Sequence, residues 1–151
     1  TRISPQLKEE DLRQGRALSA LHSGGRAGLE ESLALIPQPA NARAHLVRGL
    51  ALHGLGRFDE AVEECRAAAA DWPRYALARY ACGNALVAAA GARQALGQDA
   101  RDLYRAAVAE FSVALEVEPD WPAARINRAT AVLAAHFAEM AAAGTGPGAG
   151  R

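Results

Sequence analysis

The sequence predicts an all-α chain of stacked helical pairs, and three observations carry the prediction. Alanine is the commonest residue, and it joins the best helix propensity to a side chain small enough for helices to approach closely. No stretch rich in Val, Ile, Thr and aromatics alternates with the period of two that a half-buried strand requires. Small residues and prolines also recur at one spacing: Gly15, Gly49 and Gly83 lie 34 residues apart, and in the same frame Ala27 matches Ala61, Ala34 matches Ala68, and Pro39 matches Pro73. One glycine coincidence carries little weight; four columns in a single register define a repeat.

The register resumes after an interruption. Ala107, Ala114 and Pro119 fall into the same columns once 12 residues are inserted after the helix that starts near Ala76, and Ala129 then occupies the Gly83 column. The units are therefore 8–41, 42–75 and 76–121, followed by a half unit, a capping helix over 122–143, all within one domain spanning 1–143. Each full unit holds two helices, which makes seven in all. In the first, Ser4 before Pro5 starts a helix and the Ser-Gly-Gly at 23–25 breaks the pair. In the second, Asn41 is the N-cap of a helix running to about Leu55, Gly54 and Gly56 bracket its end, Asp59 caps a helix reaching Ala70, and Pro73 blocks continuation. In the third, Gly97 is a stop and Asp99 an N-cap. The inserted residues lack proline and are expected to lengthen both helices. The glycine-rich tail 144–151 has no apolar anchor and is expected to be disordered.

Composition narrows the function. At 151 residues the chain fits one domain. Its 17 basic and 17 acidic residues cancel, whereas nucleic-acid binding draws on a basic excess, so no nucleic-acid partner is expected. No apolar run reaches the length of a membrane-spanning helix, and the first thirty residues lack the apolar core of a signal peptide, so no membrane insertion is expected. Two cysteines do not make a disulfide framework and suit a reducing, cytoplasmic setting.

Gly49, Leu52, Gly56, Phe58, Asp59, Glu60, Ala61, Ala68 and Pro73, in that spacing, resemble the tetratricopeptide repeat (TPR). The resemblance covers about residues 8–140. It departs from the family at the fourth column, where Asp11, His45, Arg79 and Arg125 replace the usual aromatic. It implies a right-handed α-solenoid of about three helix-turn-helix units with a concave groove lined by the first helix of each. Gly49, Gly83, Ala61 and Ala107 are then spacers at helix crossings, and the half unit covers the apolar face that the last repeat leaves open. The groove carried over from the family shows Arg13, Arg16, Arg43, Leu46, Leu50, His53, Tyr80, Asn84 and Asn127. The clamp with which some relatives hold the acidic tails of heat-shock chaperones is missing: its positions read Leu12, Arg16, Val47, Leu77 and Ala81, of which Arg16 alone fits.

Candidates for chemistry are weak. His22, His45, His53 and His136 form no i,i+4 pair or ligand cluster, so no metal is expected. Cys65 and Cys82 sit in core-facing columns and read as buried thiols. The Ser-Gly-Gly-Arg-Ala-Gly at 23–28 lacks the preceding strand and following Lys-Ser/Thr of a phosphate loop. Trp72 and Trp121 are expected to pack over turns between repeats. The expectation is a non-enzymatic module without cofactor, an adaptor or chaperone-like protein binding a peptide or helix of a partner. The alternative is a structural subunit docked in a larger assembly. The sign of the ligand follows from charge placement. Arg43, Arg48, Arg79, Arg93, Arg125 and Arg128 lie on first helices, and Glu30, Glu31, Asp59, Glu60, Glu63, Glu64, Asp102, Glu110 and Glu116 on second helices. With Arg48, Arg79, Arg125 and Arg128 in packed columns, Arg13, Arg16 and Arg43 remain as groove cations. They suit a partner with acidic residues interleaved among apolar ones.

Overall fold

The computed structural model describes residues 5–144. They form seven helices and no strand: α1 (Pro5–His22), α2 (Gly25–Leu35), α3 (Ala42–Gly54), α4 (Phe58–Asp71), α5 (Ala76–Ala95), α6 (Arg101–Val117) and α7 (Pro122–Gly144). Ser4, expected at the first helix start, and the expected tail beyond Gly144 lie outside the described residues; Gly144 itself closes α7. The chain divides at Pro73 into two compact units. In the first, α1 packs on α2, α3 packs on α4, and α3 also touches α1 and α2; in the second, α6 packs on both α5 and α7.

Helix boundaries follow local chemistry. Asn41 Oδ1 accepts the Ala44 N–H at 2.9 Å, the expected N-cap, and Asp71 Oδ2 accepts the Ala42 N–H at 2.9 Å. After α3 the chain turns through Gly56 at φ +77, and the Arg57 N–H returns to the Leu52 carbonyl. After α5 it turns the same way through Gly97 at φ +71, with the Gln98 N–H on the Arg93 carbonyl. Both turns need a residue that tolerates the left-handed region. Two expected caps are displaced. Arg57 occupies the N-cap of α4 and makes no side-chain cap bond, so Asp59 sits in the first turn, where the helix dipole favours its charge. Ala100, and not Asp99, precedes α6. Asp99 instead accepts the backbone N–H and the guanidinium of Arg101, which hold its carboxyl down at about 2.

The insertion lengthens both helices of its pair, as expected. α5 has 20 residues and α6 has 17, against 13 in α3 and 14 in α4. Most of the extra length lies in α5. Tyr104 OH donates to Gln94 Oε1 at 2.7 Å near the tip of this longer pair, and Ala90, Ala100, Tyr104, Ala135 and Ala138 form a core cluster there.

Crossings set where the pairs touch. A Cβ on Gly49 would stand 2.6 Å from Cys65 Sγ, and one on Gly83 would stand 2.5–2.8 Å from the Phe111 ring. Opposite them, Ala61, Ala107 and Phe111 are wholly buried. These are the expected spacers. In the first pair the pattern slides. Ala27 and Ala34 are exposed, and the buried residues of α2 are Gly28 and Ser32. Ser32 Oγ is buried without a hydrogen-bond partner, a cost that a well-formed core normally avoids.

Candidate functional site

The expected binding residues fall in both units. Tyr80 and Asn84 lie on α5 and Asn127 on α7, and the fold brings these three together across 43 or more residues of sequence. The Asn127 side-chain amide donates to Asn84 Oδ1 at 2.8 Å and to Tyr80 OH at 3.1 Å. The Tyr80 ring is fixed by Trp121, with centroids 4.5 Å apart, and by Phe111 at 5.9 Å. All three polar residues keep part of their surface open. The result is an uncharged platform with amide and phenol groups at fixed positions on first helices.

In the first unit Arg13 and Arg16 lie on α1, and Arg43, Leu46, Leu50 and His53 on α3. Leu46 is only 3% exposed and belongs to the core; Leu50 is half-buried. Arg13 is tied to Glu9 one turn back, at 2.5 Å. Arg16 and Arg43 are exposed and make no ion pair among the described residues. His53 packs edge-on to Phe58 at 5.4 Å, and burial lowers its pKa. A cleft of about 280 Å³ opens between α1 and the turn after α2, lined by Glu10, Arg13, Gln14, Ile36 and Ala44 among others.

Some of the charge is neutralised between the helices of a pair. Glu64 of α4 accepts from His45 Nδ1 at 2.7 Å and from Arg48 Nε at 3.0 Å, and Arg48 also reaches the Leu33 and Ile36 carbonyls. Arg79 of α5 meets Glu110 of α6 at 3.1 Å. Arg125 turns to Asp120 and the Pro119 carbonyl, and Arg128 makes no ion pair among the described residues.

Trp121 packs as expected, on Tyr80; Trp72 is 54% exposed. The outer face of α7 exposes Val132, Leu133, Phe137 and Met140, on the side away from buried Ala124, Ala131 and Ala138. Cys65 and Cys82 are buried thiols. Among the described residues, no three or more His, Cys, Asp or Glu side chains are gathered to hold a metal ion. No helix of the described residues is long and apolar enough to cross a membrane.

The chain is similar in fold to the TPR domain of Arabidopsis OM64, with a TM-score of 0.61 and 21% identity over 82% of this chain and 94% of that one. No family model matches the sequence, and no curated protein is significantly similar to it. The fold is therefore all-α and tetratricopeptide-repeat-like.

Proposed function

We propose that this chain is a protein–protein interaction module, adaptor-like or chaperone-like, that holds a peptide or helix of a cytoplasmic partner in a groove lined by its first helices. The reading assigns no reaction and needs no cofactor. The observation that carries it is the contrast among first-helix cations. Arg48 and Arg79 are consumed by acids of their own helical pairs, whereas Arg16 and Arg43 stand exposed without an acid. In the first unit, exposed cations and half-buried Leu50 suit a segment in which acidic residues alternate with apolar anchors, and in the second the Tyr80–Asn84–Asn127 platform offers uncharged polar groups.

The test begins with a partner recovered by pull-down and identified by mass spectrometry. Its affinity for the purified chain is expected to fall with salt, and to fall by about 1–3 kcal/mol for Arg16→Glu or Arg43→Glu where either is a central contact. Affinity indifferent to salt and to both variants would instead favour a structural subunit docked through other surfaces.

A further inference from the structure

α7 repeats α5 at an offset of 46 residues, and half of the correspondence holds. Ala124, Ala131 and Ala135 of α7 are buried, as are Ala78, Ala85 and Ala89 of α5. The other half fails. Cys82, Gly83, Leu86 and Ala90 are buried in α5, but their counterparts Arg128, Ala129, Val132 and His136 are exposed. In α5 this strip includes Gly83, which receives Phe111 of the following helix; among the described residues no helix follows α7. A cleft of about 650 Å³ occupies the place, lined by Leu115 of α6 and by Arg125, Arg128, Ala129, Val132 and Leu133 of α7. Apolar surface continues along the helix through Phe137, 63% exposed, and Met140.

The charged residues of the strip say what fits it. In the frame of the repeat Arg125 and Arg128 are the counterparts of His45 and Arg48, and Ala129 is the counterpart of Gly49. His45 and Arg48 together clamp Glu64 of α4 at 2.7 and 3.0 Å. At the equivalent column of α6, Glu110 meets Arg79. α7 thus repeats the basic positions of the clamp: Arg125 is held by Asp120 and the Pro119 carbonyl, whereas Arg128 makes no ion pair among the described residues. The second helices α4 and α6 share one pattern: Ala61, Glu64, Cys65 and Ala68 in α4, and Ala107, Glu110, Phe111 and Ala114 in α6. Ala129 alters one element of it. Its methyl fills space that glycine leaves to Cys65 or Phe111, so the residue opposite must be small.

We propose that the outer face of α7 docks an amphipathic helix of another protein, seated as α4 sits on α3 and bearing the pattern Ala-x-x-Glu-Ala-x-x-Ala. Its glutamate pairs with the Arg128 guanidinium, its alanines cross at Ala129, and its apolar flank covers Val132 and Leu133. This surface belongs to the second unit, and the proposal does not depend on the reading given to Arg16 and Arg43 of the first.

The probe is a synthetic peptide with the sequence of residues 57–72 carrying Cys65→Ala, titrated into the isotope-labelled full chain and followed by amide chemical shifts. Shifts are expected on α7 and the C-terminal part of α6, with saturation at or below about 1 mM. A peptide with Glu64→Lys in addition is expected to bind about tenfold more weakly. Arg128→Glu, at an exposed position and with its fold checked by circular dichroism, is expected to reverse that preference, whereas Arg43→Glu leaves it unchanged. Absence of shifts at about 1 mM with the chain folded overturns the proposal, as do shifts confined to α1 and α3 or a preference that Arg128→Glu does not reverse. A dimer that Leu133→Asp dissociates also overturns it, because a second copy is then the occupant.

Discussion

The second and third helical pairs cross on a glycine of their first helix, whereas the first pair crosses on a glycine of its second. Gly49 lets α3 meet Cys65 and Ala61, and Gly83 lets α5 meet Phe111. Gly15 shares their column, yet a Cβ there would meet nothing within 4 Å. In the first pair Gly28 makes the close approach: its Cβ would stand 2.5 Å from the Ala20 carbonyl oxygen. The cause is the turn. In the frame of the repeat, Phe58 at the start of α4 corresponds to residue 24, but α2 begins at Gly25. A helix entered one residue later presents a face rotated by about 100°, so Gly28 and Ser32 take the inward places that Ala27 and Glu31 would hold. The difference teaches that spacing names a column, while the turn before a helix decides which side of that column is buried.

The largest effects should come from the tightest of these crossings. Phe111→Ala is expected to cost about 3–5 kcal/mol in urea denaturation, because a wholly buried ring is lost. Gly83→Leu, which drives a side chain into that ring, is expected to cost about 1–3 kcal/mol or more, and the double variant less than the sum. Gly49→Leu and Ala61→Leu should each cost about 1–3 kcal/mol by the same overpacking. Unchanged midpoints in both of these would mean that the second pair does not cross where it is drawn.

The first pair gives a comparison of sign. Gly28→Ala is expected to destabilise by about 1–3 kcal/mol, since the atom in its way is a backbone carbonyl that cannot swing aside. Gly15→Ala, in open space inside a helix, is expected to stabilise by about 0.5–1 kcal/mol. Thermal melts that move in one direction for both variants would put the crossing of α1 and α2 elsewhere.

Much of this architecture was legible because its signals are local or periodic. Gly49, Gly83, Ala61 and Ala107 mark the crossings, Asn41 caps α3, and Gly56 and Gly97 reverse the chain. What the sequence concealed depends on geometry between elements. Gly28 and Ser32 resemble no core pattern and are buried only because α2 starts late. Asp59 has cap chemistry, but Phe58 already begins the helix. Leu46 lies in a groove column and packs inward all the same. The Asn127–Tyr80–Asn84 bonds join helices 43 and 47 residues apart, beyond the reach of any sequence window. The open strip on α7 could be recognised only by laying its exposure beside that of α5.

The smallest effect concerns the two ends where paired helices turn back. The second pair is closed there by His53 against Phe58, the third by the Tyr104–Gln94 hydrogen bond. His53 lies in the last turn of α3, where the helix dipole favours a cation, but burial prevails and pushes its pKa below the ordinary 6.5. The fold therefore accommodates the neutral ring, and the unfolded chain takes up the proton first. The contribution of His53 is complete above pH 6.5 and is lost as pH falls from there through the lowered value. The melting temperature of the native chain is expected to decline between about pH 7.5 and 5.5, and that of His53→Gln to decline less. Tyr104→Phe should instead lower stability by about 0.5–1.5 kcal/mol across the same window. Parallel slopes for the native chain and His53→Gln would show that the imidazole is not held neutral by its burial against Phe58.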